Sequence, residues 1–209
     1  MKKLSLLFIT LSIQLSIAQS KNVFSGIKLG ADNFKYMKGE WNEPTDKAFG
    51  FYAGGFLNFV IHDEFRIQAE ILYVKHKRDE KVNDVKTEYH NIPGTYAGAW
   101  YFEITEKNIQ IPIMAQYYFT DTFYSEIGPQ FGYILEKEIS FSDDNNSVVD
   151  GETITTKLKY DTFDFSVSLG FGYYFNKHIG VSARYCFGLI EKDNQIKSSV
   201  LNFGLQYKI

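Results

Sequence analysis

Along most of this chain, apolar and polar residues alternate one by one, the period of a β-strand whose successive side chains point to opposite faces. From Asn108 to Phe119 one face reads Ile109, Ile111, Ile113, Ala115, Tyr117 and Phe119, and the other Asn108, Gln110, Pro112, Met114, Gln116 and Tyr118. From Phe163 the apolar set is Phe163, Phe165, Val167, Leu169, Phe171, Tyr173 and Phe175, set against Asp164, Ser166, Ser168, Gly170, Gly172 and Tyr174. The same alternation runs from Ile179 to Leu189 and from Leu201 to Ile209. Apolar residues do not recur at the three- and four-residue spacing of a helix over any long stretch.

The pattern predicts eight strands, at about 23–33, 48–61, 64–77, 100–120, 122–138, 159–176, 178–190 and 197–209. The links between them alternate in length. His62-Asp63, Asp121 and Lys177 mark tight turns, whereas 34–47, 78–99 and 139–158 are long and polar, with a shorter turn at 191–196. Tight turns at one end and long loops at the other are the arrangement of an outer-membrane barrel, turns in the periplasm and loops outside. An even strand count returns both termini to the periplasmic side. Pro112 sits mid-strand without an N–H to give the ladder, which predicts a bulge or local break there.

Composition sharpens this reading. Aromatics make up 17% of the residues, yet no stretch after the first twenty residues is apolar enough for a helical span. Backbone polar groups in lipid must be satisfied internally, which leaves a closed barrel as the membrane-crossing option. Phe59, Phe65, Tyr117, Phe119, Phe123, Tyr173, Phe175 and Tyr207 fall near the tight turns or the C-terminus, as one interfacial ring would. Tyr73, Phe131, Tyr133, Phe163, Tyr185 and Phe187 supply a second ring. A soluble lipocalin-like barrel would point its apolar faces inward and clothe the other faces in charge. Here those faces carry Gly, Ser, Asn and Gln with isolated charges, which suits a narrow polar lumen.

The first residues read as an export signal: Met1-Lys2-Lys3, an apolar run from Leu4 to Ile17, then Ser16-Ile17-Ala18 with cleavage expected after Ala18. The expected division is therefore a signal peptide, 1–18, and one barrel domain, 19–209. The apolar run is too short to cross a bilayer as a helix. Its removal takes away two lysines and no acids, deepening the net charge from −3 to −5. That balance argues against a nucleic-acid partner. Cys186 is the lone cysteine, so no internal disulfide forms.

Several segments resemble a known family: Phe24-Ser25-Gly26-Ile27-Lys28-Leu29-Gly30, Gln68-Ala69-Glu70-Ile71-Leu72-Tyr73, Asn108 through Phe119, Glu126-Ile127-Gly128-Pro129, Ala183-Arg184-Tyr185, and the ending Gly204-Leu205-Gln206-Tyr207-Lys208-Ile209. Together they are similar to the small PorT-like barrels of the outer membrane protein beta-barrel domain family of Gram-negative bacteria. The resemblance implies fold and outer-membrane location and leaves activity open. It departs at the last residue, Ile209, where such barrels usually end on an aromatic.

Assigning the faces in this way sends Lys28, Arg66 and Arg184 into the lumen with Glu70, Glu126 and Asp164. Eight strands leave an interior that side chains fill, so these charges are expected to pair into a plug. A proton or small-ion path along the same residues is the alternative. Catalysis would need a histidine beside a serine or carboxylate. His62 and His178 lie in tight turns, and His76 and His90 flank the second outer loop near Glu88, with no recognisable catalytic motif. Asp143-Asp144-Asn145-Asn146 and Asp150-Gly151-Glu152 offer oxygen ligands without the spacing of a calcium loop. No cofactor is expected. Trp41, Tyr89, Tyr96, Trp100 and Tyr101 lie in or beside the outer loops. The expected function is a non-enzymatic outer-membrane barrel contacting lipid along its sides. Loops 34–47, 78–99 and 139–158 would meet surface partners. A part in envelope secretion or assembly, or a lipid-modifying enzyme at the rim, stands as the alternative.

Overall fold

The computed structural model describes residues 22–37, 48–82, 100–142, 155–157, 162–190 and 197–209. The expected signal at 1–18 lies outside them, as do His90, Trp41, Tyr89, Tyr96 and the acidic runs Asp143–Asn146 and Asp150–Glu152. Strands run at β1 (Val23–Met37), β2 (Ala48–Val60), β3 (Phe65–Val82), β4 (Trp100–Tyr118), β5 (Phe123–Ser142), β6 (Thr155–Lys157), β7 (Phe163–Tyr174), β8 (Ile179–Gly188) and β9 (Lys197–Lys208).

Every neighbouring pair is antiparallel, and the order β4-β3-β2-β1-β9-β8-β7-β5 closes on itself through β4–β5. The first and last strands meet along Gly26↔Lys208 to Met37↔Lys197, which removes the sheet edge that lipid could not satisfy. Strand β6 lies against the far end of β5, Ser140↔Thr155 to Glu138↔Lys157, while β7 takes the rest of β5 from Tyr133↔Phe163. Both occupy the same position around the ring. The barrel therefore has eight staves, and the expected strand 159–176 is found as β7 with β6 preceding it.

The tight turns are four residues long, at Ile61–Glu64, Phe119–Thr122 and Phe175–His178. In Ile61–Glu64 the amides of Ile61 and His62 both donate to the Phe65 carbonyl. Thr120 Oγ1 accepts from the amides of Thr122 and Phe123, and Asn176 Oδ1 accepts from those of His178 and Ile179. Side-chain oxygens satisfying their own backbone are what Thr and Asn supply in turns.

The faces are inside out relative to a soluble protein. The outward side chains are apolar and exposed, such as Leu169 at 47% and Phe171 at 53%, whereas Lys28, Glu70, Glu126, Gln68 and Gln116 are at most 2% exposed within. All eight aromatics of the expected periplasmic ring are exposed. Along β3 the outward residues Phe65, Ile67, Ala69, Ile71 and Tyr73 give way to Lys75 and Lys77. A strand of that length, at about 3.4 Å per residue and tilted roughly 40°, makes a belt about 20–25 Å tall, the height of a hydrocarbon core. Outward charge on β4 and β5 begins at Lys107 and Glu136, which face each other in the ladder.

Pro112 gives the local break expected of it, without a bulge. The ladder to β3 pauses between Ala69↔Ile113 and Leu72↔Gln110 and resumes in the same register, and Pro112 itself stands opposite Gln130. The register shift falls instead at Lys107/Asn108, where Leu135 is skipped between Ile134 and Glu136. The extra residue flips the alternation, and Glu136 comes to 2.7 Å and Glu138 to 3.6 Å from Lys107. In addition, β1, β3 and β5 extend into segments assigned to loops, through Met37, Val82 and Ser142.

Orientation gives a test with opposite signs for the two kinds of barrel. Leu169→Arg places a cation near the middle of the apolar belt and is expected to cost about 2–4 kcal/mol. Urea unfolding in lipid vesicles measures this. An exposed leucine on a soluble barrel would accept arginine at almost no cost, and that outcome would reverse the assignment of the faces.

Candidate functional site

The lumen is filled in layers, and a charge cluster occupies the middle. Lys28 comes from β1, Glu70 from β3, Glu126 from β5 and Arg184 from β8, each on the inward parity of its strand. Arg184 is the hub. Its Nη1 and Nη2 donate to the two Glu70 oxygens at 3.1 and 2.9 Å, and its Nε donates to Glu126 Oε1 at 2.9 Å. Lys28 Nζ donates to Glu70 Oε1 at 3.1 Å. Two cations thus neutralise two carboxylates. The fork of a guanidinium suits this bridging, which a lysine ammonium could not reproduce.

Amides complete the lone pairs that remain. Gln68 Nε2 donates to Glu70 at 2.7 Å and Gln116 Nε2 to Glu126 at 3.1 Å. Asn58 Nδ2 then joins both glutamines, donating to Gln68 Oε1 at 2.9 Å and Gln116 Oε1 at 2.8 Å. The sequence reading grouped six charges. The structure brings four of them together, Lys28, Glu70, Glu126 and Arg184. Arg66 is lower, its guanidinium 3.9 Å from the ring centre of Tyr118. Asp164 is half-buried toward the loop end, opposite Gly132 on β5.

Above the cluster lies a pair that the sequence reading missed. Asp32, Gly50 and His76 stand in one row across β1, β2 and β3. His76 Nε2 is 3.0 Å from the Asp32 carboxylate, and the imidazole stacks on Phe34 at 5.0 Å between ring centres. Glycine in the middle of the row allows this, because a Cβ at Gly50 would come within 2.4 Å of both His76 and Asp32. His76 was expected beside the second outer loop, at the end of strand 64–77; its inward parity on β3 places it inside the barrel. Even spacing from Arg66, Gln68 and Glu70 was the signal that could have found it. Cys186 is also inside, 3.0 Å from Ser168 Oγ and 3.3 Å from Asn202 Nδ2. Of the other histidines, His62 is exposed in its turn, and His178 Nδ1 lies 2.9 Å from the Lys208 carbonyl oxygen.

Three tyrosines close the tight-turn end. Tyr118 and Tyr124 stack at 4.9 Å and Tyr124 meets Tyr174 at 6.1 Å. Tyr124 fits because Gly172 faces it: a Cβ there would lie 2.1 Å from its ring. Gln206 Nε2 donates to the Tyr124 hydroxyl at 2.7 Å.

Removing one member of a buried ion network leaves the other unpaired, which costs more than the network contributes. Arg184→Met is therefore expected to destabilise the refolded barrel by about 3–5 kcal/mol. In that background Glu126→Gln should restore part of the loss, whereas in the parent barrel it should cost stability. A urea double-mutant cycle reads the difference, and additive effects would show that the guanidinium and carboxylate do not act together.

Residues 9–193 match the family described as outer membrane protein beta-barrel domain. No curated protein is similar to the chain. Among solved structures, the attachment invasion locus protein Ail of Yersinia pestis superposes with a TM-score of 0.51 at 11% identity, over 91% of this chain and all of Ail. The Neisserial surface protein A superposes with a TM-score of 0.52 at 15% identity, over 88% of this chain and 97% of the other. These likenesses agree with the closed eight-stave ring and the outward apolar belt. The chain belongs to the outer membrane protein beta-barrel domain family and is an outer-membrane β-barrel protein.

Proposed function

We propose that the protein is a closed, non-enzymatic barrel that holds a paired sheet above the outer membrane for contact with partners. The observation that carries this reading is the continuation of three neighbouring strands past the apolar belt. Beyond Lys75, β3 stays paired with β4 as far as Val82↔Trp100, and β4 stays paired with β5 as far as Tyr101↔Ser142. On the outward face there, Lys77 is bonded to Glu103 at 2.8 Å. Backbone order this far from the membrane makes a firm platform, whereas a free loop would pay ordering entropy on binding. Ail, which shares the fold, is named for attachment and invasion.

Closure of the lumen rests on the interior network. Every charge in the middle layer is matched, and the tyrosine floor lies below it, so an ion entering the middle layer meets groups already engaged with one another. The finer resemblance, to PorT-like members, would give the platform a role in envelope secretion or assembly. Co-purification with envelope machinery distinguishes that role from binding outside the cell.

Two measurements test the proposal. Purified protein in planar bilayers should show no steady unit conductance, and a reproducible step would make the lumen a channel. Deleting residues 79–103 should leave the heat-dependent gel shift of a folded barrel intact while abolishing partner binding by cells displaying the protein. Binding that survives the deletion would remove the platform from the function.

A further inference from the structure

Two cations at the tight-turn end of the lumen lie outside the interior network. Arg66, near the start of β3, contacts the Tyr118 ring at 3.9 Å. Lys208, the last residue of β9, has its ammonium 4.4 Å from the Tyr174 ring centre and 5.0 Å from that of Phe24. Tyr124 lies between the two tyrosines, so the cations sit on one aromatic floor.

Neither cation has a carboxylate partner among the described residues. Glu126, two residues beyond Tyr124 on β5, is held by Arg184 at 2.8 Å and Gln116 at 3.1 Å. In the adjoining turns Asp63 and Asp121 are exposed, and Glu64 accepts the Tyr117 hydroxyl at 3.2 Å on the outer surface. Ring faces attract cations but give no lone pair to an N–H. Arg66 Nε and the Tyr118 hydroxyl are accordingly shielded from solvent without a hydrogen-bond partner. A donor left unmade in such a place is costly unless something else comes to accept from it.

We propose that this end of the lumen binds a phosphate group from the periplasmic side. The Arg66 guanidinium and the Tyr118 hydroxyl donate to its oxygens, and Lys208 supplies a second positive charge across the aromatic floor. A phosphate group, singly charged as a diester or up to doubly charged as the free ion, is attracted by both cations, and the planar guanidinium fits its geometry. Arg66 and Lys208 are only partly buried, which leaves the approach from the periplasm open. The same chemistry is offered by dissolved phosphate and by a phospholipid headgroup of the inner leaflet.

Nuclear magnetic resonance of the barrel in sugar-headgroup micelles tests the site. Inorganic phosphate is titrated at constant ionic strength against chloride, following the Arg66 Nε–H signal, or the Tyr174 ring where Arg66 is replaced. A saturable shift that chloride does not reproduce is expected. Arg66→Gln should weaken it tenfold or more, and Tyr118→Phe severalfold. The latter removes a single hydroxyl, so the barrel should keep its heat-dependent gel shift. In phosphatidylglycerol nanodiscs without free phosphate, an Arg66 signal already at the bound position identifies the headgroup as the source. A signal that moves only on adding phosphate identifies the dissolved ion. No saturable shift in either medium, or a shift unchanged in both variants, overturns the proposal.

Discussion

An amide left unpaired in hydrocarbon costs several kcal/mol, and every other feature of this barrel follows from avoiding that cost. The pairing of β1 with β9 and of β4 with β5 leaves no open edge within the belt. Closure forces one face of each strand toward lipid and the other into a narrow interior that side chains fill. The outward face must then be apolar along the whole belt. The inward face receives whatever polar groups the sequence carries, and it must satisfy them there.

A narrow lumen makes that demand severe. Water is scarce among groups that are at most 2% exposed, so Glu70 is met by Arg184, Lys28 and Gln68 together rather than by solvent. Small residues make room for the large ones that bond. Gly50 lets Asp32 and His76 meet over it, and Gly172 accepts the Tyr124 ring. Glycine on the inward parity is thus a packing decision, and the Gly-rich faces of the strands are the complement of the tyrosines and charges opposite them.

Much of this was legible in the sequence because period two states which face a residue is on. The parity of Lys28, Glu70, Glu126 and Arg184 placed all four inside, and inside a narrow tube charges of opposite sign find one another. Parity says nothing of height. Arg66 shares the parity of Glu70 but lies four residues lower, among the tyrosines, and Asp164 lies near the other end; neither reaches the hub. His76 was missed for a related reason. Its parity is inward, but the apolar alternation that marks a strand fades where the belt ends at Lys75, although the ladder continues to Val82.

That fading separates two kinds of strand within one ladder. Below Lys75 the lipid dictates the outward residue, and the sequence carries a strong periodic signal. Above it the outward residue meets water in place of lipid, so the apolar signal fades, while His76, Ile104 and Glu106 stay buried within and the backbone pairing continues. The bulge at Leu135 sits at this boundary and reverses the parity of β5, which aims Glu136 and Glu138 at Lys107 instead of into the lumen. Without the extra residue those two carboxylates would take the inward parity, the face of Glu106, and Lys137, which stands opposite Glu106 in the ladder, would turn outward. The irregular residue therefore protects the charge balance of the interior at the height where the membrane stops imposing an apolar exterior.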